Sequence, residues 1–481
     1  MGTKPKAVND VSRGGQSYGL KSATLSPLET LGQSVANIAP TATPTIVIPL
    51  VFAISGASTW LAYLIATVSV LLVASSINQF ARRSASPGSF YSYIITGLGP
   101  FWGAVTGWAL LIAYIGCASA VTSGFSNYAN VFLGSVFNGF KLPGVLLIGI
   151  SVLLAWYVAY KDIKLSARLS LALEFASVSL ILLLVGVTLY RYGWKLDWEQ
   201  LSLKGTSLDA LRGGLVLAIF SFTGFESAAT LGSEAKNPLQ SIPRAIVRSA
   251  LIVGALFVIS SYAQVIGFYG NAETLDKSSA PLSVLADKAG LSSIGLLIDI
   301  GAIISFFACV LASINAGARI LFLMGRHGLF HTSAGNAHQK NETPHIAVTI
   351  ASVLAFIPAA ILSIRGVGDF DIYGWVGTIA TLGFIVAYII VSIAAPVYLK
   401  RRGELKAQNV VFSGVAIVTL VLAIWGNFYP VPPAPYNVLP YIFIGLWLAG
   451  VVWIAIVHKV HPQVIKDIRQ DSLAINARFS G

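Results

Sequence analysis

The chain has 481 residues, of which 56% are hydrophobic and only 10% are charged, and its formal net charge at pH 7 is +12. Soluble domains carry about 25% charged residues, so this composition excludes an ordinary soluble protein. Apolar stretches of roughly 20 residues recur from end to end, and such a stretch can cross a hydrocarbon core of about 30 Å. The sequence therefore predicts a protein that crosses a membrane many times.

Twelve apolar segments can be marked along the chain, and we number them 1 to 12 in order. They lie at about residues 28–55, 57–80, 98–125, 143–160, 166–190, 212–232, 247–268, 291–318, 345–364, 372–399, 410–427 and 437–458. Polar tails are expected before the first segment, over residues 1–25, and after the last, over residues 461–481.

The basic residues follow this alternation of segments and loops. About three quarters of the 31 Lys and Arg residues fall in the tails and loops on the side of the N-terminus. Cytoplasmic loops carry such an excess, so both termini are predicted to be cytoplasmic, in a multi-pass protein of the plasma membrane. Nucleic-acid binding usually requires one clustered basic patch, and the alternation therefore predicts no nucleic-acid partner.

The residue types needed for a metal centre or for catalysis are sparse. The two cysteines, Cys117 and Cys309, fall inside apolar segments, and the six histidines lie in or beside polar loops. No disulfide framework is implied. We also find no metal triad, no nucleophile–base pair and no phosphate-binding loop. The sequence predicts no cofactor, no metal and no enzymatic activity.

Two segments contain residues that interrupt a helix. Segment 1 carries three prolines within "NIAPTATPTIVIP", residues 37–49, and a proline inside a helix costs about 3 kcal/mol. Segment 6 carries polar residues and a glycine within "AIFSFTGFESAAT", residues 218–230. A proline kink is common in membrane helices. Two breaks five segments apart instead favour the discontinuous helices of a transporter, whose half-helix ends bind a charged substrate.

Three further stretches carry a family resemblance. They are "SASPGSFYSYIITGLGP" (84–100), "FTGFESAATLGSEAKNPLQSIPRAI" (222–246) and "SINAGARILFLMGRHGLF" (313–330). The first is similar to the stretch before helix 3 of amino acid–polyamine–organocation (APC) permeases. The second resembles their helix 6 signature and the loop that follows it, and the third the end of their helix 8. The order of the motifs also agrees, so the resemblance covers residues 25–460.

The resemblance implies an all-α membrane protein with twelve transmembrane helices. It implies a LeuT-like, five-plus-five inverted repeat, with broken helices 1 and 6 and two additional C-terminal helices. The first repeat would cover residues 26–192, the second 210–402, and the additional helices 408–460. It further implies alternating access around a site between segments 1, 3, 6, 8 and 10, with an amino acid, an amine or a related zwitterion as substrate.

The resemblance assigns substrate-binding residues and a helix break to segment 1. The binding residues are Ile38, Thr41, Ala42 and Thr43, and the break is held by Pro40 and Pro44. Family members show a Gly-Ser-Gly-like run here, whose N–H groups receive the substrate carboxylate, whereas this sequence has Pro40-Thr41-Ala42. Proline has no N–H, so the donors would be Thr41, Ala42 and Thr43. The alternative is a plain proline kink.

Segments 3 and 6 supply the remaining expected contacts. The binding residues are Phe220, Ser221, Thr223 and Cys117, and the break in segment 6 is at Gly224. Phe220 matches the aromatic that covers the substrate in arginine/agmatine antiporters, or is a core phenylalanine. Ser221 and Thr223 would bind the substrate amine. Cys117 either lines the site or only packs between helices. Ser313 and Asn315 in segment 8 line the neighbouring face, hold a cation, or only pack between helices.

Two glutamates lie at membrane depth, where a charge costs about 3 kcal/mol on insertion scales. Glu226 either bonds to the freed backbone of segment 6 or senses the proton and the substrate. Glu174 lies about ten residues, or roughly 15 Å, into segment 5. Proton-coupled family members carry a lysine on this segment, but the matching residue here is Ser177. Glu174 is the predicted proton carrier instead, and the alternative is a protonated glutamate bonded to a neighbouring helix.

These observations predict a secondary active transporter of a small amino acid or amine. The small, weakly polar candidate residues favour a neutral zwitterion over arginine or a polyamine as substrate. The proton is the predicted coupling ion, and the lipid bilayer surrounds the protein. Two alternatives stay open, namely a substrate exchanger and a transport-dead sensor with the same fold.

Overall fold

The computed structural model describes residues 18–203, 205–278 and 280–479, so most of the predicted tail 1–25 lies outside the described residues. Within these ranges the chain forms α-helices and no β-strand. The helices are α1 Pro27–Ile38, α2 Ile48–Ser55, α3 Thr59–Ala81, α4 Phe90–Leu98, α5 Pro100–Val136, α6 Gly144–Lys161, α7 Ile163–Arg191, α8 Trp198–Leu201, α9 Leu208–Phe220, α10 Pro238–Phe268, α11 Pro281–Lys288, α12 Ser292–Arg326, α13 His345–Ile364, α14 Asp369–Arg401, α15 Ala407–Trp425, α16 Leu439–Val460 and α17 Pro462–Phe479. Short 3₁₀ or π turns lie at Thr43–Val47, Gly56–Ser58, Ser227–Leu231, Leu275–Lys277 and Thr332–Gly335.

Ten stretches of the described residues are helical, long and apolar enough to cross a membrane. The first of them, Pro27–Ala81, includes the predicted segments 1 and 2, which are separated by the 3₁₀ turn Gly56–Ser58. Segment 6 is not among the ten because its α-helical part, Leu208–Phe220, is only 13 residues long. The count of twelve membrane-spanning segments stays a prediction. The inverted repeat stays a prediction.

Several helices are longer than the apolar segments that predicted them. Helix α5 has 37 residues and continues to Val136, whereas the apolar segment was expected to end near residue 125. At 1.5 Å per residue it spans roughly 55 Å, well beyond the hydrocarbon core. The residues after 125 include polar ones but no proline, so the composition changes while the backbone hydrogen bonding continues.

Helices α5, α12 and α14 form the centre of the bundle, and small residues allow them to approach closely. At Gly383 of α14, an added Cβ would lie 2.8 Å from the carbonyl oxygen of Ala109 in α5. At Gly124 of α5, it would lie 2.4 Å from the ring of Phe306 in α12. Larger side chains at these glycines would separate the central helices.

Both ends of the described chain lie at one end of the bundle, which we call the terminal face. Leu25 pairs with Ala235 in an isolated parallel bridge. The sequence predicts only a tail over 461–481, but the structure has helix α17 there. Asp471 of α17 accepts a hydrogen bond from the Tyr18 hydroxyl (3.3 Å) and lies 3.0 Å from His327 Nε2. These contacts fasten both ends of the chain to the bundle.

Ion pairs close the terminal face. The guanidinium of Arg319 binds both carboxylate oxygens of Glu234, at 2.7 and 2.8 Å, and both side chains are at most 1% exposed. Arg168 of α7 binds Glu29 of α1. These pairs connect α1, the loop after segment 6, α7 and α12 at the terminal face.

Candidate substrate site

Segment 1 is interrupted between α1 and α2. Helix α1 ends at Ile38, and Ala39 then takes a left-handed conformation with φ 52° and ψ 67°. Pro40 follows in a turn, and the π-helical turn Thr43–Val47 leads into α2. The chain therefore changes direction at the alanine before Pro40. Pro44 lies inside the π-helical turn, beyond the break that it was expected to hold open.

The break leaves hydrogen-bond donors without acceptors. The Thr41 hydroxyl is buried and has no hydrogen-bond partner among the described residues. Neither the Thr41 nor the Thr43 N–H donates to a backbone carbonyl among the described residues. The Ala42 N–H, in contrast, donates to the Ala39 carbonyl at 2.9 Å, so the role of Ala42 as a substrate donor stays a prediction that would require this hydrogen bond to open. Ile38 lies at the end of α1 and is 5% exposed.

Segment 6 is interrupted after α9, which ends at Phe220, and a 3₁₀ turn resumes at Ser227. The hydroxyls of Ser221 and Thr223 are already engaged, with Tyr63 OH (3.2 Å) and the Phe220 carbonyl (2.9 Å) respectively. The carbonyls of Ser221 and Thr223 accept no backbone hydrogen bond among the described residues. The carbonyl oxygens of both residues are therefore the groups that remain for the predicted contact with a substrate amine.

The two breaks touch at Asn37 and Gly224. Gly224 has φ 90°, and an added Cβ would lie 1.8 Å from Asn37 Nδ2. Asn37 Nδ2 is itself buried and has no hydrogen-bond partner in the part of the chain that the structure describes. We call this place, formed by Asn37, Thr41 and Gly224, the crossing. It contains two unpaired side-chain donors, a costly arrangement inside a protein.

Helix α12 fixes the orientation of Asn37. The Ser313 hydroxyl donates to Asn37 Oδ1 at 2.7 Å, and the Cys309 thiol donates to the Asn37 carbonyl at 3.3 Å. Cys117 of α5 interacts with both Cys309 and Ser313. Cys117 and Ser313 thus lie beside the crossing. Asn315, in contrast, lies towards the terminal face. Its main-chain carbonyl oxygen accepts a hydrogen bond from Arg319 Nη1 at 2.9 Å.

Glu226 connects three segments at the break. Its two carboxylate oxygens accept hydrogen bonds from the hydroxyls of Tyr114 in α5 and Tyr388 in α14, each at 2.6 Å. The Tyr388 hydroxyl also accepts from the Gly224 N–H at 3.3 Å. Glu226 is fully buried. Both of its oxygens are occupied by protein groups, which fixes the break relative to α5 and α14.

A cavity of about 470 Å³ ends at Phe220. The rings of Phe220 and Tyr373 of α14 are in contact, with centroids 5.9 Å apart. A Cβ added to Gly377 would lie 2.7 Å from the Phe220 ring. The cavity follows α9 from Asp209 to Phe220, roughly 16 Å, so it opens at the face opposite to the terminal face. Its mouth carries Asp209 and Arg212, paired at 3.2 Å.

Glu174 lies apart from the crossing, between α7 and α12. Its Oε1 accepts a hydrogen bond from the Ser305 hydroxyl at 2.7 Å, whereas its Oε2 is buried and has no partner among the side chains that the structure describes. No cation pairs with Glu174 among the described residues. One turn further, the Ser177 hydroxyl donates to the Gly301 carbonyl at 2.8 Å.

Three helix ends are directed at the crossing. The C-terminal ends of α1 and α9 present carbonyl oxygens and partial negative charge. The π-helical turn before α2 begins there and presents N–H groups and partial positive charge. This arrangement can bind an ammonium and a carboxylate side by side.

Sequence reasoning missed several residues of this region. They are Asn37, Tyr114, Ser305, Tyr373 and Tyr388. Asn37 stands directly before the predicted break and is a polar residue inside an apolar segment, so it carried a usable signal. The tyrosines lie in long apolar helices at no distinctive spacing, and only tertiary packing brings them to Glu226 or Phe220.

An all-helical membrane bundle with two interrupted helices that meet at a buried polar site is typical of multi-pass membrane transporters. The family model for "Amino acid permease" matches residues 30–471. The chain belongs to this family, as its motifs predicted.

The relatives have different substrates in their names. The chain is 24% identical to the branched-chain amino acid permease BcaP of Bacillus subtilis, over 73% of this chain and 76% of the relative. It is 25% identical to the methylthioribose transporter of the same species, over 84% of each protein. It is 26% identical to the low-affinity putrescine importer PlaP of Escherichia coli, over 62% of this chain and 66% of the relative.

The fold is also similar to a solved structure. A manganese transporter mutant from Eremococcus coleocola matches with a TM-score of 0.59, at 12% sequence identity, over 94% of this chain and 98% of that chain. At this identity the likeness shows the fold alone.

Proposed function

We propose that the protein is a secondary active transporter that carries a neutral amino acid across the plasma membrane by alternating access, driven by protons. Both termini lie in the cytoplasm in this proposal. The observation that carries the proposal is the crossing, where Asn37 Nδ2 and the Thr41 hydroxyl are buried donors without a partner among the described residues. Asn37 lies against Gly224 in the break after α9, where the carbonyls of Ser221 and Thr223 accept no backbone hydrogen bond among those residues. A zwitterion would satisfy both sets of groups.

The occupied carboxylate of Glu226 supports a substrate with one positive charge. Arginine and putrescine carry a second cationic group, which needs a second anionic partner inside the membrane. Glu226 lies in the break, but both of its oxygens already accept tyrosine hydroxyls. A neutral amino acid needs no further carboxylate. The branched-chain specificity in the name of one relative supports the same class.

Phe220 is the proposed gate on the side of the cavity. The buried Glu234–Arg319 pair lies at the terminal face, while the cavity at the opposite face extends as far as Phe220. Substrate would enter the cavity and pass the Phe220–Tyr373 contact to reach the crossing. The terminal face would then open as α1 moves away from α7 and α12.

Glu174 is the proposed proton carrier. An ionised carboxylate at this depth costs about 3 kcal/mol or more unless it is paired, and Glu174 Oε2 has no partner. Movement of α12 relative to α7 would break the Ser305 hydrogen bond and expose the carboxyl to water. Proton release would then accompany the conformational change.

The function is tested by uptake into proteoliposomes of radiolabelled alanine, leucine, arginine and putrescine. Each is measured with an acidic exterior, with a sodium gradient, and with unlabelled substrate inside. We expect accumulation of alanine or leucine with the acidic exterior alone. Uptake that requires internal substrate would instead establish an exchanger. Absence of uptake and of binding for all four compounds would favour the sensor.

Glu174→Gln tests the coupling separately. The amide keeps the hydrogen-bonding shape but cannot carry the proton, so we expect exchange of internal and external substrate to persist while proton-driven accumulation is lost. Asp299→Asn is the matched control. Asp299 lies in α12 and, like Glu174, is buried. Its carboxylate accepts a hydrogen bond from the Ser283 hydroxyl at 2.9 Å, and removing its charge should leave proton coupling intact. Proton-driven accumulation by Glu174→Gln at the wild-type level would refute the assignment.

A further inference from the structure

A groove at the terminal face lies between α1 and the first turns of α10, outside the pathway described above. Its volume is about 310 Å³. One wall is apolar and includes Leu28 and Leu31 of α1, and the other carries Arg244 and Arg248 of α10. We propose that this groove binds an anionic phospholipid, with the phosphate on the two arginines and an acyl chain along the leucines.

The two arginines have no protein partner. Arg244 and Arg248 are exposed and lie one helical turn apart, on the same side of α10. Neither forms an ion pair, a side-chain hydrogen bond or a ring contact within the described ranges. The nearest acidic residue of α1, Glu29, is engaged by Arg168. The groove therefore keeps two positive charges for an external anion.

The position of the arginines along α10 corresponds to the lipid headgroups. From residue 249 to the end of α10 at Phe268 the helix carries no charged residue. These 20 or so residues span about 30 Å, the thickness of the hydrocarbon core. Arg248 thus marks the boundary of the core, and basic residues at this level attract anionic headgroups.

The apolar wall is suited to an acyl chain. Leu28 is 60% exposed, although it lies beside the groove at the end of a membrane-crossing segment. On α10, Leu251 and Ile252 are about half exposed and begin the apolar surface directly after Arg248. An amphipathic molecule with its anionic end at the arginines satisfies both walls, whereas a soluble anion would leave the leucines in water.

A lipid in this groove would affect the substrate site through α1. Helix α1 is 12 residues long, begins at the groove and ends one residue after Asn37. Ser227 and Ala228 bond to its Gln33 carbonyl and Ser34 hydroxyl, so α1 and the second half of segment 6 are connected. A lipid that bridges α1 and α10 would stabilise the closed terminal face.

The proposal is tested by thermal unfolding of the purified protein in neutral detergent, titrated with phosphatidylglycerol, phosphatidylcholine or inorganic phosphate. The lipid concentration dependence of the unfolding temperature gives an apparent affinity. We expect phosphatidylglycerol alone to stabilise the wild type. In the double variant Arg244→Gln with Arg248→Gln, its affinity should fall about 30-fold, the equivalent of about 2 kcal/mol for two basic residues near an anionic surface.

Three controls make the result specific. The double variant Arg244→Lys with Arg248→Lys keeps the charge and should retain most of the affinity. Lys400→Gln removes an exposed charge at the end of α14, outside the groove, and should behave as wild type. Leu28→Ser should weaken phosphatidylglycerol binding while the arginines remain. Equal stabilisation of the wild type and the Gln double variant would overturn the proposal, as would equal stabilisation by phosphatidylcholine or by inorganic phosphate.

Discussion

Gly224 is the residue at which the two broken helices touch, and both its backbone and its surroundings require glycine. Its φ of 90° is unfavourable for any residue with a Cβ, and the Cβ itself would collide with Asn37 Nδ2. The strained backbone costs about 1–3 kcal/mol, and the overpacking typically adds a further 1–3 kcal/mol.

Gly224→Ala is therefore expected to lower the thermal stability clearly and to abolish uptake. Gly445→Ala is the matched control, because a Cβ at Gly445 meets nothing within 4 Å and φ is not positive there. Thermal unfolding and uptake are measured on both variants. Wild-type uptake by Gly224→Ala would show that the two breaks are not held in this arrangement.

At the scale of residues, the sequence predicted the positions of the two helix breaks better than it predicted which backbone N–H groups lack an acceptor within the protein. Prolines and a glycine inside apolar segments marked both breaks. The availability of each N–H depends on local geometry, and the left-handed turn at Ala39 places its carbonyl where it accepts from Ala42. Asn37 matters because α12 orients it, and no local pattern contains that information.

At the scale of elements, the buried pair of Glu234 and Arg319 joins the loop after segment 6 to α12. Removing one partner leaves an uncompensated buried charge, which costs about 3–5 kcal/mol. Replacing both partners with apolar residues of similar size is often close to neutral. We therefore expect the pair to add little to the free energy of unfolding. Its expected role is to hold the terminal face in the closed arrangement.

We expect Glu234→Leu and Arg319→Met each to lower the unfolding temperature strongly, and the double variant to recover most of the loss. The double variant should still transport poorly, because the bidentate contact that closes the terminal face is absent. A double-mutant cycle of unfolding temperatures measures this coupling. Additive losses in the double variant would contradict the assignment.

The long apolar helices were predictable as elements because about 20 uncharged residues identify a membrane crossing. Their ends were less predictable, since helices such as α5 continue past the apolar stretch into polar residues. Helix α17 was missed because it follows the last apolar segment. Its apolar residues Val464 and Ile468 lie four apart, a spacing typical of one helical face, and could have indicated it.

At the scale of the whole molecule, access is asymmetric. The cavity reaches Phe220 from one face, and ion pairs close the other. The chain has only two cysteines, so the single change Cys309→Ala leaves Cys117, which is 5% exposed beside the crossing, as the reporter.

In that background, Phe220→Ala is expected to increase the labelling rate of Cys117 by a membrane-impermeant thiol reagent several-fold, because the ring no longer separates the cavity from the crossing. Leu50→Ala is the control, since it widens the cavity without touching the gate. Equal labelling rates in the Phe220→Ala and Leu50→Ala variants would show that Phe220 is not the barrier.

The central claim is that the unpaired donors at the crossing bind the substrate, and Thr41→Val tests it most directly. The Thr41 hydroxyl has no partner within the described ranges, so its loss should leave the unfolding temperature unchanged or slightly raised. A lost hydrogen bond to a charged carboxylate costs about 1.5–3 kcal/mol, or roughly a tenfold or greater loss of affinity.

The measurement is equilibrium binding of radiolabelled leucine and alanine to the purified wild type, Thr41→Val and Thr106→Val. Thr106 is the matched control, because its hydroxyl bonds within α5, to the Trp102 carbonyl at 2.8 Å. The predicted result is at least tenfold weaker binding to Thr41→Val alone, at unchanged stability. Wild-type affinity in a stable Thr41→Val protein would contradict the account.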